Sequence, residues 1–260
     1  MQNCQVLILS AGIGSRMGKQ SRLPKCLNDI KQKKVIEMLF EKLYFLGFKD
    51  IYLTVGYKSK KIISFLKKKK YTIKKIYIKN FKNCGSVYSW YSFYKIWKKK
   101  KKNLILIHSD LLFDISYLNL LKKRKQNIIC CSEFNKNKYK SDYWMCTTKK
   151  TNIIKSILQY KFLKLNEKKY QISCINKFSP NMLKHFFPYM KKYFLRYGIN
   201  DTWEIVLNKF IRESNYNIYL YKNAKYWFNI NTVRDLTKAK TFFNNESKKN
   251  KKFEMLKRST

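Results

Sequence analysis

Prolines and glycines are scarce in this chain of 260 residues, which contains three prolines and seven glycines. No stretch rich in either residue divides the chain, and no segment repeats. The sequence thus gives no sign of a linker between independent domains. Hydrophobic residues make up 45% of the chain, and aromatic residues make up 17%. This composition predicts a folded protein with one domain of generous size.

Metal-binding and disulfide patterns are also missing. The seven cysteines are an odd number, no C-x-x-C pair occurs, and only two histidines are present. These features argue against both a disulfide framework and a zinc site. No stretch approaches 18 apolar residues, and the apolar run 6–9 is too short for the core of a signal peptide. We therefore expect a cytoplasmic protein without a membrane span.

Acidic residues are few, 15 against 58 basic ones, which gives a formal charge of +43. Such an excess would normally suggest nucleic acid or an acidic membrane surface as partner. Only seven of the basic residues are Arg, however, and nucleic-acid sites usually depend on Arg. The abundant Lys, Asn, Ile, Tyr and Phe all have codons of A and T alone, so base composition explains the charge without selection. We expect no specific nucleic-acid partner; a polyanion-binding protein remains an alternative, and it requires a clustered lysine surface.

Apolar runs alternate with helical patterns along the first half of the chain. Strands are predicted at 5–10, 50–57, 73–80 and 103–110, and helices at 35–46, 59–69 and 86–98. After a looser region, strands are predicted at 128–133, 143–148, 153–160, 170–178, 218–221 and 227–231, and helices at 180–194, 202–214 and 233–243. This order predicts an α/β fold: a Rossmann-like three-layer αβα arrangement whose central sheet is mixed but mostly parallel.

The most informative segment is 7–27, an apolar strand that leads into G-x-G-x-R and then Pro-Lys. Gly12 and Gly14 lack the Cβ atoms that would block a nucleotide, and Arg16 and Lys25 supply positive charge. Met17 stands where a dinucleotide fingerprint needs its third glycine, and the spacing is not that of a P-loop NTPase. The pattern predicts a loop that holds phosphates, the alternative being a plain tight turn.

This segment resembles the N-terminal signature of the nucleotidyltransferase superfamily. That superfamily includes sugar-1-phosphate nucleotidyltransferases and the choline-phosphate and 2-aminoethylphosphonate cytidylyltransferases. The resemblance implies an enzyme that joins an NTP to a phosphorylated acceptor and releases pyrophosphate. It implies a nucleotide-binding loop that contains Ser10, Ala11, Gly12, Gly14, Ser15, Arg16 and Lys25. In it Arg16 and Lys25 bind phosphates and stabilise charge on the leaving pyrophosphate.

Asp110 follows an apolar strand and is similar to the family's metal-binding aspartate. Nucleotidyl transfer needs a divalent cation, and metal ligation needs oxygen ligands. The resemblance therefore implies Mg²⁺ as cofactor, with Asp110 joining Arg16 and Lys25 as catalytic residues. The family's second metal segment is similar in shape to 227–236, but Asn229 and Asn231 stand where carboxylates are frequent. The predicted metal ligands are Asp110, Asn229 and Asn231, with weaker binding than a paired-carboxylate site.

Two further segments complete the predicted site. Asn83, Gly85 and Ser86 lie in a pattern similar to the family's base-reading Asn-x-x-Ser-x-x-Ser segment; a plain serine-capped helix is the alternative. For the acceptor, Asp201, Trp203 and Glu204 resemble an aromatic and acidic segment of the choline-phosphate branch. Trp227 is predicted to line the same pocket, with Trp90, Tyr143 and Trp144 as further members of an aromatic cage for a quaternary ammonium group.

The interpretation is an Mg²⁺-dependent nucleotidyltransferase that transfers CMP from CTP to phosphocholine, phosphoethanolamine or 2-aminoethylphosphonate, for surface glycan or lipid assembly. Residues 1–112 would form the nucleotide-binding half, 113–243 the acceptor-binding half, and 244–260 a basic disordered tail. Two alternatives stay open: a sugar-1-phosphate nucleotidyltransferase, and a catalytically weak nucleotide-binding protein whose two asparagines have relaxed the metal site.

Overall fold

A computed structural model describes residues 4–133, 143–148, 152–163, 168–222 and 225–258, without the side chains of 19–22 and 247–258. The strands are β1 (Cys4–Ser10), β2 (Asp29–Ile30), β3 (Lys33–Lys34), β4 (Ile51–Val55), β5 (Lys74–Tyr77), β6 (Asn103–His108), β7 (Leu111–Phe113), β8 (Ile128–Glu133), β9 (Trp144–Thr148), β10 (Ile154–Gln159), β11 (Lys169–Phe178), β12 (Tyr219–Lys222) and β13 (Trp227–Asn229). The helices are α1 (Val35–Phe45), α2 (Ser59–Lys68), α3 (Ser86–Tyr91), α4 (Tyr94–Lys100), α5 (Ser116–Lys123), α6 (Pro180–Tyr197), α7 (Trp203–Glu213) and α8 (Val233–Arg258). Among the described residues, no helix is long and apolar enough to cross a membrane.

The central sheet has a parallel half and a mixed half. β1 lies between β4 and β6, and β5 pairs with β4, all in parallel. Beyond β6 the sheet continues through the antiparallel β11, which pairs with both β8 and β9. The predicted α/β class, with a mixed and mostly parallel Rossmann-like sheet, is confirmed.

Buried apolar strands place the site at the carboxyl ends of the parallel strands of this sheet. Val6, Leu7 and Ile8 of β1 are fully buried, which explains the apolar run at the start of the chain. Beyond the strand ends, Ser109 donates its backbone N–H to Leu9 O at 3.0 Å and its hydroxyl to Ser10 Oγ at 2.9 Å. The carboxyl ends of β1 and β6 therefore meet, which is where ligands bind in sheets of this kind.

Two predicted helices differ from the structure. The helix predicted at 86–98 is two helices, α3 and α4, and Ser92 between them donates its hydroxyl to Ser89 O at 2.7 Å. Such bonding of serine to the backbone competes with the helical pattern. The last helix, predicted to end at residue 243, continues through Arg258 because 244–258 contains neither Pro nor Gly to stop it. The segment predicted as a disordered tail is thus helical over those residues.

Candidate active site

The loop after β1 uses its two glycines differently. Gly14 has φ of 73°, and a Cβ there would lie 2.9 Å from Cγ of Lys25, so glycine lets the lysine side chain cross the loop closely. A Cβ on Gly12 would meet no atom within 4 Å. Gly12 therefore leaves open space above the sheet edge, while Gly14 makes room for Lys25.

Four of the predicted site residues meet beyond this loop. Nζ of Lys25 donates to Oδ1 of Asn231 at 2.7 Å and contacts Oδ2 of Asp110 at 3.3 Å. Nη2 of Arg16 donates to the same Asn231 oxygen at 3.0 Å. The side chains of Lys25 and Asp110 are each 15% exposed, so their ion pair is only lightly screened by water. The structure thus brings together Arg16, Lys25, Asp110 and Asn231 from segments far apart in the sequence.

Backbone bonds fix the positions of the two asparagines. β13 pairs with β7, which follows Asp110 directly, and Ile230 donates its N–H to Asp110 O at 2.9 Å. Asp235 accepts from the backbone N–H groups of Asn231 and Thr232 at 3.1 and 2.8 Å, which holds the start of α8. Asp235 and Thr232 therefore have a structural role, and they orient Asn231.

Oxygen atoms suited to a magnesium ion are present at this point. Asp110 offers a carboxylate, Asn231 an amide oxygen, and Oδ1 of Asn229 is buried without a hydrogen-bond partner. A buried acceptor without a partner is costly, and a bound cation would satisfy it. Hard divalent cations prefer such oxygen ligands, so the residues fit the predicted ion. Lys25 contacts two of the three, Asp110 and Asn231.

A cavity of about 200 Å³ adjoins the loop. The predicted nucleotide-binding residues that line it are Ser10, Ala11, Gly12, Gly14, Lys25, Gly85 and Ser86, together with Asp110. Asn83 and Ser15 are not among its lining residues; Asn83 donates its N–H to Asn80 O in a turn, and Ser15 begins a short 3₁₀ helix. Ser89, the second serine of the Asn-x-x-Ser-x-x-Ser pattern, also lines it, whereas sequence reasoning missed Phe81, Cys84 and Ser109. Their only signal was closeness in sequence to Gly85 and Asp110.

Gly85 and Ser86 are also tied to the start of α7. A Cβ on Gly85 would lie 1.8 Å from the backbone oxygen of Asp201, and Gly85 N donates to Ile199 O at 2.8 Å. Oγ of Ser86 accepts from Trp203 N at 3.0 Å. The 83–86 segment therefore joins the cavity to α7, which the sequence pattern did not indicate.

A larger cavity of about 1320 Å³ is lined by Arg16, Ser86 and His108 at the side of the loop. Aromatic side chains line it further out, from Tyr143, Trp144 and Trp227, and the carboxyl group of Glu204 reaches it as well. Because Ser86 and His108 line both cavities, the two spaces adjoin. Its volume leaves room for a second substrate beside the loop.

Two predicted members of the acceptor pocket lie in the core instead. Trp203 and Trp90 are fully buried, and neither lines the larger cavity. Trp203 faces inward because the apolar side of α7 packs on the sheet, and its Nε1 donates to Nε2 of His108 at 3.0 Å. Asp201 also lies away from the cavity, and its carboxylate accepts from the Tyr193 hydroxyl at 2.6 Å. Of the predicted acceptor residues, four line the space: Tyr143, Trp144, Glu204 and Trp227.

His108, Cys174 and Glu204 form a buried cluster whose potential ligand atoms lie within 4.8 Å of one another. Cys174 has a left-handed φ of 56° where the pairing of β11 with β8 is irregular, and this irregularity directs its side chain to the cavity. Since His108 accepts at Nε2 from the Trp203 indole, its ring proton is on Nδ1 and neither nitrogen has a free lone pair. The cluster therefore fits a hydrogen-bonding group better than a metal.

Burial sets the charge of this cluster. It lowers the pKa of the His108 imidazole, against the opposite effect of Asp110. It raises the pKa of the Glu204 carboxyl to about 7 and that of the Cys174 thiol above its usual range. Near neutral pH the histidine and the thiol are uncharged, and Glu204 titrates.

The fold is that of known nucleotidyltransferases. The CTP:phosphocholine cytidylyltransferase from Streptococcus pneumoniae superimposes with a TM-score of 0.73 at 20% identity, over 92% of this chain and 99% of that one. The inositol-1-phosphate CTP transferase from T. maritima superimposes with a TM-score of 0.72 at 13% identity, over 91% of this chain and 94% of its own. UDP-glucose pyrophosphorylase superimposes with a TM-score of 0.72 at 13% identity, over 93% of this chain and 98% of its own.

No protein-family model matches the sequence, and no curated protein matches it either. Since the identities are low, the likeness is one of fold over nearly the whole chain. The resemblance predicted from the loop at 7–27 is thereby confirmed, because this chain has the fold that these nucleotidyltransferases share.

Proposed function

We propose that this protein is a nucleotidyltransferase that moves CMP from CTP to a phosphorylated acceptor and releases pyrophosphate. The observation that carries the proposal is the meeting of Arg16, Lys25, Asp110 and Asn231 beyond the glycine loop. Two cations, a carboxylate and an amide oxygen are the groups that a triphosphate and its metal ion need. Neighbours of the same fold include a CTP:phosphocholine cytidylyltransferase and a UDP-glucose pyrophosphorylase, which supports this class of reaction.

In the reaction, a phosphate oxygen of the acceptor attacks the α-phosphorus of the NTP. A new P–O bond forms as the bond to the β-phosphate oxygen breaks, and pyrophosphate leaves with the electron pair. Arg16 and Lys25 bind the phosphates and balance the charge on the leaving group. Lys25 would give up part of its contact with Asp110 and Asn231 to reach the triphosphate, since Lys25 itself lines the smaller cavity.

Asp110, Asn231 and Asn229 would hold the magnesium ion. Its chemistry is to neutralise charge on the α-phosphate and the acceptor phosphate, which repel each other. Asp110 and Asn231 also position the Lys25 ammonium group toward the loop. Gly12, whose Cβ position is open, lets the phosphates approach the backbone N–H groups.

The acceptor would occupy the larger cavity, formed mostly by residues of the 113–243 half. Tyr143, Trp144 and Trp227 offer aromatic faces, and Glu204 offers a carboxyl that is partly ionised near neutral pH. Aromatic faces and a carboxylate together favour a cationic acceptor such as phosphocholine, phosphoethanolamine or 2-aminoethylphosphonate. A role in surface glycan or lipid assembly would follow from such a product.

A sugar 1-phosphate is the second candidate acceptor. Gln159 and Gln171 also line the larger cavity, and amides suit the hydroxyl groups of a sugar. This candidate shares the nucleotide site and the reaction, and differs only in the acceptor. A third candidate, a nucleotide-binding protein with weak catalysis, rests on Asn229 and Asn231 standing in place of carboxylates.

The test is pyrophosphate release with Mg²⁺ from each of CTP, UTP, GTP, ATP and dTTP, against a panel of the cationic phosphates and common sugar 1-phosphates. Turnover with CTP and a cationic phosphate is the expected result. Turnover with a sugar phosphate alone would favour the second candidate. Nucleotide binding without turnover at any Mg²⁺ or Mn²⁺ concentration would overturn the proposal in favour of the third.

A further inference from the structure

Lysine runs accumulate at the end of the sheet where its parallel strands begin, opposite the candidate site. α2, α4 and α5 each lead into a strand of the sheet, β5, β6 and β8, so their carboxyl ends lie where these strands begin. The runs 67–70, 98–102 and 122–125 cover these helix ends. β6 connects the two edges directly, since Lys102 precedes it and Asp110 follows it.

Side-chain contacts show that these runs lie beside one another. The carboxylate of Asp50 accepts from Lys74 and Lys100, each at 2.8 Å, and from Lys102 at 3.4 Å. Lys122 Nζ donates to Leu46 O at 3.2 Å. In the same region Tyr44 OH donates to Thr72 O at 3.0 Å. We define the basic face as residues 45–50, 67–74, 98–102 and 122–125.

The charge of the basic face is almost uncompensated. It contains fourteen lysines and one arginine, Arg124, but Asp50 is its one acidic residue. All of these basic residues except Lys102 are exposed. One neighbouring carboxylate, Glu37, pairs with Lys69 at 2.6 Å. A helix carboxyl end favours cations only within its last turn, yet the runs continue past the ends of all three helices.

An aromatic side chain projects from the same face. Phe45, the last residue of α1, is 81% exposed, and its neighbour Tyr44 is 41% exposed. An exposed aromatic side chain is a common anchor at the boundary between lipid headgroups and acyl chains. Clusters of basic residues are attracted to the negative surface potential of membranes that contain anionic lipids.

We propose that the basic face binds the surface of a membrane that contains anionic phospholipids, with the lysines attracted to the headgroups and Phe45 inserted among them. The six residues of β6 span about 20 Å between this face and the candidate site. Both cavities therefore stay open to small substrates while the protein is docked.

The experiment is co-sedimentation of the full chain with vesicles of phosphatidylcholine alone or mixed with phosphatidylserine. Binding is expected only to the anionic vesicles and should weaken strongly as salt is raised. Substituting Lys68→Gln, Lys99→Gln and Lys123→Gln together should weaken it about 10- to 100-fold. The matched control combines Lys191→Gln, Lys192→Gln and Lys240→Gln, which remove the same charge outside the basic face and should change binding less than about twofold. Phe45→Ser should weaken vesicle binding at unchanged charge.

Three outcomes would overturn the proposal. Equal losses in the two triple variants would mean that diffuse charge, not this face, drives binding. Equal binding to neutral and anionic vesicles would exclude electrostatic attraction. The third outcome is binding of single-stranded RNA at physiological salt that is tighter than vesicle binding and is lost in the basic-face variant. It would assign the face to nucleic acid. Thermal unfolding shows that each variant is folded, and pyrophosphate release measures the proposed reaction in the same variant. Loss of vesicle binding is thus distinguished from failure of the proposed reaction.

Discussion

Nζ of Lys25 lies 2.7 Å from Oδ1 of Asn231, although 206 residues separate the two in sequence. The same ammonium group contacts Asp110, which follows β6. One lysine thus connects the glycine loop, the end of a central strand and the start of α8. This connection is the basis of the first two predictions.

Asp110→Asn keeps the size of the side chain but removes its charge. We expect turnover to fall about 100- to 1000-fold, because the variant loses a metal ligand and the partner of Lys25. Pyrophosphate release measures this loss. The control is Asp114→Asn, whose carboxylate accepts from Ser116 N at 2.9 Å and which should stay within a few-fold of the parent. Full turnover in Asp110→Asn would refute the proposed mechanism.

Asn231→Asp places a second carboxylate at the point where Lys25 contacts both Asp110 and residue 231. The Mg²⁺ concentration for half-maximal turnover should fall on the order of tenfold, since a second charged oxygen strengthens binding of a hard cation. Mg²⁺ titration of turnover measures the change. Asn229→Asp is the companion variant, because Oδ1 of Asn229 is buried without a hydrogen-bond partner. If neither variant changes the Mg²⁺ dependence, the two asparagines are not metal ligands.

Gly85→Ala should destabilise the fold. A Cβ there would lie 1.8 Å from Asp201 O, so the start of α7 must move away, at a cost of about 1–3 kcal/mol or more. Chemical denaturation measures the free energy of unfolding. Gly12→Ala is the matched control, because its Cβ meets nothing within 4 Å and the fold should tolerate it. Equal stability of the two variants would contradict the packing described for Gly85.

Glu204 should make stability depend on pH. Burial raises its pKa from 4.5 to about 7, so between these values the folded protein keeps a proton that the unfolded chain has released. The free energy of unfolding is therefore highest at low pH, where Glu204 is protonated in both states. It falls by up to about 3 kcal/mol as the pH rises toward 7. Glu204→Gln removes this loss, so its stability relative to the parent should be higher at about pH 8 than at about pH 5. A constant difference between the two proteins across this range would show that Glu204 does not titrate there.

Much of the fold could be predicted because its signals are local. The apolar run of β1, the alternation of strands and helices, and the two loop glycines each lie within a few residues. Those signals also indicated that Arg16, Lys25 and Asp110 belong to one edge of the sheet. The inward orientation of Trp203 could not be predicted in this way. It depends on which side of α7 packs on the sheet and on a bond to His108, 95 residues away.

The bond between Lys25 and Asn231 also has a consequence during synthesis. A ribosome adds about 5–20 residues per second, so the loop emerges about 10–40 s before Asn231 does. During that interval the Arg16 guanidinium and the Lys25 ammonium exist without the amide oxygen that they share in the finished protein. The contacts of these two cations are therefore complete only after β13 has paired with β7 and brought Asn231 to the loop.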